Sequence, residues 1–233
     1  MRRVAAVLLA AVTVAEIAAP AAAQRPIVVE LFTSQGCSSC PPADALLREL
    51  AARPGLLALG YHIDYWDGPG WTDPLSLPEA TARQRAYARL FGHPGRVYTP
   101  QTVIDGRDEF VGSDRAAIAD ALRAARPESA APVAFAAGSV RIGAGTGRGA
   151  VWLVRFARRR TTRVGGGENR GRVLDDADGV TAVVRLGDWN GAAASFPLAP
   201  PGPGEGAAVL VQAADGTMLG AGAIYSDATG MAL

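Results

Sequence analysis

Glu30-Leu31-Phe32-Thr33-Ser34-Gln35-Gly36-Cys37-Ser38-Ser39-Cys40-Pro41-Pro42-Ala43-Asp44 holds both cysteines of the chain, set between an apolar run and a helical pattern. Ahead of the pair, Ile27 to Phe32 is apolar except for Glu30 and reads as a buried strand. Behind it, Ala43, Leu46, Leu47 and Leu50 fall at i, i+3, i+4 and i+7, the spacing of one helical face, between Pro41 and Ala52. Arg53-Pro54-Gly55 stops that helix, and Leu56 to Ile63 supplies a second strand. Strand, helix and strand in so short a span predict a βαβ unit with parallel strands and a right-handed crossover.

Further along, Tyr65-Trp66-Asp67-Gly68-Pro69-Gly70-Trp71 forms an aromatic loop. A helix is predicted from Ser76, paired with Glu79 as a capping box, to Phe91, where Gly92 and Pro94 end it. A short strand around Val103, a hairpin at Asp105-Gly106 and a returning strand at Glu109 to Val111 come next. Ser113 is expected to cap a last helix reaching about Ala125, with Ile118 and Leu122 inward. Residues 127–132 read as a linker. Beyond it, Val151 to Phe156, Val180 to Leu186, Ala207 to Val211 and Met218 to Ile224 are short apolar runs between glycine-rich turns, including Asp178-Gly179 and Asp215-Gly216. Arg158-Arg159-Arg160 reads as a solvated turn. Residues 133–233 are therefore expected to be a small all-β, sandwich-like domain.

The 233 residues can bury one large core or two modest ones. A net charge of +1 gives no general attraction to nucleic acid or anionic lipid. Met1-Arg2-Arg3, the apolar run Val4 to Val14 and the small residues Ala21-Ala22-Ala23 make residues 1–23 a predicted signal peptide, cleaved after Ala23. The apolar run is too short to span a bilayer comfortably, and Glu16 and Pro20 prevent its extension. The expected destination is periplasmic or secreted, where disulfides persist and no stable membrane span remains.

In that setting the cysteines read as a redox dithiol. A thiol is nucleophilic as thiolate, and the positive end of a helix lowers its pKa, so Cys37 is the expected nucleophile and Cys40, one turn further on, the resolving thiol. A purely structural bridge is a poor use of the pair: closing so short a loop contributes roughly 2 kcal/mol, against about 4 for a loop of some sixty residues. Two buried core thiols fit badly beside Gly36 and Ser38-Ser39. The same sulfurs could instead hold Cu(I) or half of a zinc site, with His62 or His93 completing it, although two histidines are few for structural zinc.

The run from Glu30 to Asp44 resembles the signature of the secreted thioredoxin-like proteins grouped as domain of unknown function 1223. Tyr61-His62-Ile63-Asp64-Tyr65-Trp66-Asp67, Gly70-Trp71, Thr81-Ala82-Arg83-Gln84, Tyr98-Thr99-Pro100-Gln101 and Gly165-Gly166-Gly167-Glu168-Asn169-Arg170-Gly171 extend the resemblance over nearly the whole mature chain. It implies a thioredoxin-type fold and brings no established activity. By likeness to thioredoxin folds in general, Thr99-Pro100 is the candidate cis-proline loop facing the dithiol, with Thr99 offering backbone hydrogen bonds to an incoming peptide. Glu30 resembles the buried acid that assists proton transfer in those folds, though one residue further from the cysteines, and a solvated or paired carboxylate is the alternative. Three features depart from ordinary thioredoxin: Gly36 replaces the tryptophan before the first cysteine, Ser38-Ser39 carries no charge, and the stretch from Cys40 to Pro100 is longer.

The combined expectation is a thioredoxin-like α/β domain over residues 24–126, with a helical insertion, followed by the all-β domain. Its predicted work is thiol–disulfide exchange with protein thiols or disulfides, catalysed by Cys37 and Cys40 without a cofactor. Gly36, Thr99 and Pro100 are the expected substrate contacts, and Glu30, Asp64 and Trp66 the accessory residues. The alternatives are a copper metallochaperone using Cys37, Cys40 and His62, or a non-catalytic thioredoxin-fold binding module. Glu168, Asn169 and Arg170 read first as turn-stabilising and second as an interdomain or partner contact.

Overall fold

A computed structural model describes residues 24–226; the predicted signal segment 1–23 lies outside the described residues. The fold is mixed α/β, with a large central sheet and few helices. In chain order the elements are β1 (Ile27–Thr33), α1 (Pro41–Ala51), β2 (Leu56–His62), α2 (Pro78–Leu90), β3 (Gln101–Ile104), β4 (Asp108–Val111), α3 (Arg115–Ala124), β5 (Val133–Ala136), β6 (Ser139–Ile142), β7 (Gly149–Arg163), β8 (Val173–Trp189), β9 (Ala194–Pro197), β10 (Glu205–Gln212) and β11 (Met218–Tyr225). Eight strands form one sheet in the order β11-β10-β7-β8-β2-β1-β3-β4, and β5-β6-β9 form a second.

β1 pairs in parallel with β2 and antiparallel with β3, so it is covered on both edges as well as both faces. That position explains its nearly unbroken apolar sequence. Alternation along β1 sorts its side chains. Val29 and Leu31 join Ala43, Leu46, Leu47 and Leu50 of α1 and Ile118 and Leu122 of α3 on one face. Val28 and Phe32 join Ala80 and Tyr87 of α2, with Val154, Phe156 and Leu210 from the C-terminal strands, on the other. A third cluster, including Val140, Ile142, Val151, Trp189, Val209 and Val211, lies between the two sheets.

β8 lies beside β2 and runs parallel to it, with Gly60 opposite Gly179. Both glycines serve close packing there. A Cβ on Gly60 would stand 3.2 Å from Leu47, and one on Gly179 would stand 3.0 Å from Leu75. Asp178-Gly179, expected as a turn, is therefore inside a strand. Asp178 has φ 46°, and the β7–β8 register shifts close by, so a turn-like dipeptide serves as a strand irregularity. Arg158-Arg159-Arg160, also expected as a turn, lies within β7, which extends as one arm of a long hairpin. An arm carrying so many exposed arginines lacks the apolar alternation by which strands are recognised.

Two helix starts also differ from expectation. Ser76 does not cap α2; its hydroxyl donates to Asp67 at 2.5 Å, and Leu77 stands at the cap position. For α3 the capping side chain is Asp114, one residue beyond Ser113, accepting from the Ala117 amide at 3.0 Å.

The Asp105-Gly106 hairpin forms between β3 and β4, with positive φ at both residues. It is pressed against the β10–β11 turn: a Cβ on Gly106 would lie 1.9 Å from the Gly216 carbonyl oxygen. Gly106→Ala is expected to destabilise the protein by roughly 2–4 kcal/mol, combining unfavourable φ with a backbone clash. Urea unfolding checks this, and a cost below about 0.5 kcal/mol would show that the two turns separate easily.

Candidate functional site

Cys37 and Cys40 are joined in a disulfide, with their Cα atoms 5.5 Å apart. Cys40 occupies the N-cap of α1, and Pro41 and Pro42 open the helix, their fixed φ suiting its first turn. Those prolines also remove two amides from the helix tip. The remaining donors are mostly committed: the Ala43 and Asp44 amides donate to the Cys40 carbonyl, the Cys40 amide to the Cys37 carbonyl, and the Cys37 amide to the Ser34 carbonyl. The Ser38 amide donates to the Glu168 carboxylate at 2.9 Å. In this turn only the Ser39 amide has no hydrogen-bond partner among the described residues, while the Ser39 hydroxyl sits 3.2 Å from Cys37 Sγ. The helix tip is thus less generous to a thiolate than the cysteine spacing alone suggests.

Both cysteines are buried, Cys37 at 1% exposure and Cys40 at 0%. The β7–β8 connection is fastened to the backbone beside them. Asn169, itself buried, donates through Nδ2 to the Gln35 carbonyl at 3.0 Å and the Cys37 carbonyl at 2.8 Å. Gly167, with φ +67°, lies against Gly36, and a Cβ on Gly166 would collide with the Gly70 carbonyl. The loop is closed on itself by amide–carbonyl pairs joining Val164 with Gly171 and Arg172.

A buried charged cluster is tied to the same turn. His62 Nδ1 and Asp73 Oδ2 are 2.7 Å apart, and His62 Nε2 lies 3.9 Å from Asp176 Oδ1. Gln35 joins the set: its amide donates to Asp73 Oδ2 and its side-chain Nε2 to Asp176 Oδ2, each at 2.7 Å. Burial alone would push the imidazole down, but the facing Asp73, Asp176 and Asp44 carboxylates carry it up to about 9. Asp73 is held low despite burial, chiefly by the His62 charge and hydrogen bond, then by the Gln35 and Leu75 amides. Asp176 is pushed up by its burial.

Asp44 sits one turn beyond Cys40 on α1 and accepts from the Thr33 hydroxyl at 2.6 Å. Burial pushes its carboxyl up to about 7, against the lowering pull of His62 and Thr33. Asp44 also lines a small cleft of about 200 Å³ with Pro41, Arg48 and Arg172. An acid that titrates near neutrality at this position can carry a proton on and off.

The other expected site residues divide. Thr99–Pro100 is a cis peptide. Trp66 links that loop to the dithiol turn: its Nε1 donates to Thr99 Oγ1 at 2.9 Å, and its backbone oxygen lies 3.4 Å from the position of a Cβ on Gly36. Asp64 is held by the Thr81 hydroxyl at the head of α2. Glu30 points to the face opposite α1, where Arg83 grips it at 2.5 and 3.0 Å and the Tyr87 hydroxyl donates to it. His62 turns its ring nitrogens to Asp73 and Asp176, and His93 lies apart, paired with Glu109. Among the described residues, no group of three or more histidine, cysteine or acidic side chains is placed to hold a metal ion. The sequence reading passed over Gln35, Asp44, Asp73 and Asp176 as functional residues. Only Gln35 and Asp44 carried a signal, their place inside the cysteine motif.

No curated protein matches the chain closely enough to be a relative. A crystal structure of a protein from Agrobacterium tumefaciens is similar, with 36% identity and a TM-score of 0.74 over 87% of this chain and 95% of that one. HBP35 of Porphyromonas gingivalis shares the fold at 12% identity and a TM-score of 0.52, over 86% of this chain and 74% of that one. The profile of one family, described as a protein of unknown function (DUF1223), matches residues 28–212, and the chain belongs to that family.

Proposed function

We propose that this chain is an exported thioredoxin-like protein that exchanges disulfides with protein partners through Cys37 and Cys40. The observation that carries the reading is the position of the pair. The disulfide stands where β1 passes into α1 of a parallel β1–α1–β2 unit, one helical turn from a carboxyl that titrates at about 7. The cis Thr99–Pro100 bond and the link from Trp66 to both Thr99 and Gly36 support it.

In the forward direction a partner thiolate attacks Cys37 Sγ. The Cys37–Cys40 bond breaks, and Cys40 leaves as a thiolate that takes a proton by way of Asp44. A second partner thiolate then attacks the partner's own sulfur in the mixed disulfide and releases Cys37 as thiolate. Two partner thiols are oxidised and the Cys37–Cys40 pair is reduced; the reverse sequence reduces a partner disulfide. Glu30 takes no part, because Arg83 and Tyr87 hold it on the far face of the sheet. Tyr65, Trp66 and Tyr98 are exposed on the Thr99–Pro100 side and provide the apolar area that a partner segment would cover.

Cys40→Ser is expected to accumulate mixed disulfides with envelope proteins, released by dithiothreitol and absent from Cys37→Ser/Cys40→Ser. Non-reducing electrophoresis with mass spectrometry reads the result. A Cys40→Ser protein that stays free of adducts would sink the proposal.

A further inference from the structure

Cys37 is only 1% exposed in the disulfide state, and a loop from the far half of the chain is tied to its turn. The loop between β7 and β8 lies against the backbone of the dithiol turn. It is fastened to the dithiol turn by three hydrogen bonds, two from Asn169 to the Gln35 and Cys37 carbonyls and one from the Ser38 amide to Glu168. The third is unlike the others, because it brings a carboxylate to the residue after the nucleophile. In the turn from Cys37 to Asp44, two residues are prolines and four amides donate to backbone carbonyls, so only the Ser38 and Ser39 amides are left to serve an ionised sulfur. Glu168 occupies one of them.

Resting on the exchange reading, we propose that Glu168 is a positioning residue that holds the Ser38 amide while the pair is a disulfide and gives it up when Cys37 ionises, so that reduction loosens the Gly165–Gly171 loop from the dithiol turn. Cys37 Sγ–H loses its proton to solvent, and the new negative charge and the Glu168 carboxylate then compete for the same donor at close range. The carboxylate sits on an exposed residue and can move into water; the sulfur cannot. Once Glu168 leaves, the two Asn169 hydrogen bonds are what still tie the loop to the dithiol turn, beside the packing of Gly166 on Gly70 and Gly167 on Gly36. By the same coupling, Glu168 disfavours the thiolate and so favours the disulfide.

This assigns the Gly165–Gly171 loop a role in exchange beyond stabilising its own turn. It also makes partner access depend on redox state. The oxidised protein holds the loop more tightly, and the reduced protein with Cys37 ionised is the more open to a partner disulfide. Such a bias favours the direction in which this protein acts as the reductant.

The test uses the full chain and needs no partner. Cys37 alkylation by iodoacetamide is followed against pH in reduced wild type and reduced Glu168→Gln, with Glu168→Asp as the charge-retaining control. Glu168→Gln is expected to lower the apparent thiol pKa by roughly 0.5 to 1, raising alkylation at pH 6 about threefold to tenfold, while Glu168→Asp stays near wild type. Hydrogen exchange of residues 164–172 is expected to quicken on reduction in wild type and to be equally slow, reduced or oxidised, in Cys37→Ser at matched pH. An unchanged thiol pKa in Glu168→Gln would overturn the proposal, as would a loop equally protected in both redox states. Neither readout depends on mixed-disulfide capture. If the exchange reading alone fails, these shifts persist with no adducts; if this inference alone fails, adducts form with no shifts.

Discussion

Replacing His62 with leucine should cost about 3–5 kcal/mol of stability at neutral pH and should remove most of the pH dependence above pH 6.5. The cost arises because a buried cation is withdrawn from between carboxylates that stay behind, and a buried charge left unpaired is far more expensive than the pair was favourable. The sign of the pH effect comes from the imidazole being raised to about 9 in the fold, against 6.5 in an unfolded chain. Its contribution is fully present below 6.5 and is lost as pH rises through 9, a span worth roughly 3 kcal/mol. Asp44, raised from 3.8 to about 7, acts in the same direction over the lower window, since the folded state resists its ionisation between those values. Wild type is therefore expected to lose stability steadily from about pH 5 to pH 9. The variant should differ least from wild type at pH 9, where the wild-type imidazole is itself half neutral. Urea unfolding of the oxidised protein over this range checks both statements, and an identical deficit at every pH would refute the assignment of charge to His62.

The second large effect lies on the opposite face of the sheet. Arg83→Met is expected to destabilise by about 3–5 kcal/mol, because fully buried Glu30 would keep only the Tyr87 hydroxyl. The guanidinium also stands over the Tyr61 and Tyr87 rings, at 5.7 and 5.2 Å from their centroids, so cation–π attraction is lost as well. Arg83→Met/Glu30→Gln should recover more than half of that loss, since a neutral amide can accept from the tyrosine without carrying an unpaired charge. Exchange chemistry at Cys37 should be unchanged in the double variant. A single substitution costing less than about 1 kcal/mol would mean that water reaches Glu30.

Where the sequence carried a clean periodicity, the elements were legible. β1, α1 and β2 lie within a residue or two of the positions read from apolar spacing, and the turn at Asp105-Gly106 forms as its residues demand. The cysteine motif marks the turn at which the disulfide forms. The charged cluster was not legible because its members come from four separate stretches: Gln35 before α1, His62 at the end of β2, Asp73 in the loop beyond it and Asp176 in β8. No local spacing marks residues that meet only when a sheet is assembled. For Glu30 the sequence leaves a proton-transfer acid and a paired carboxylate open, and strand alternation settles its place on the far face, paired with Arg83. The loop carrying Glu168 and Asn169 stood out by composition, but its target could not be read, since β8 had not been placed next to β2.

The placement of β8 sets an order of events in synthesis. The outer edge of β2 stays bare until a strand from the far half of the chain arrives to cover it, and Asp176, Glu168 and Asn169 arrive with that strand. A ribosome halted before residue 164 would release a polypeptide whose half-built sheet invites sticking to other chains, with neither Glu168 nor Asn169 to fasten the dithiol turn. The sulfur pair is assembled early and fastened late, and the interval between is when a folding helper would be needed most.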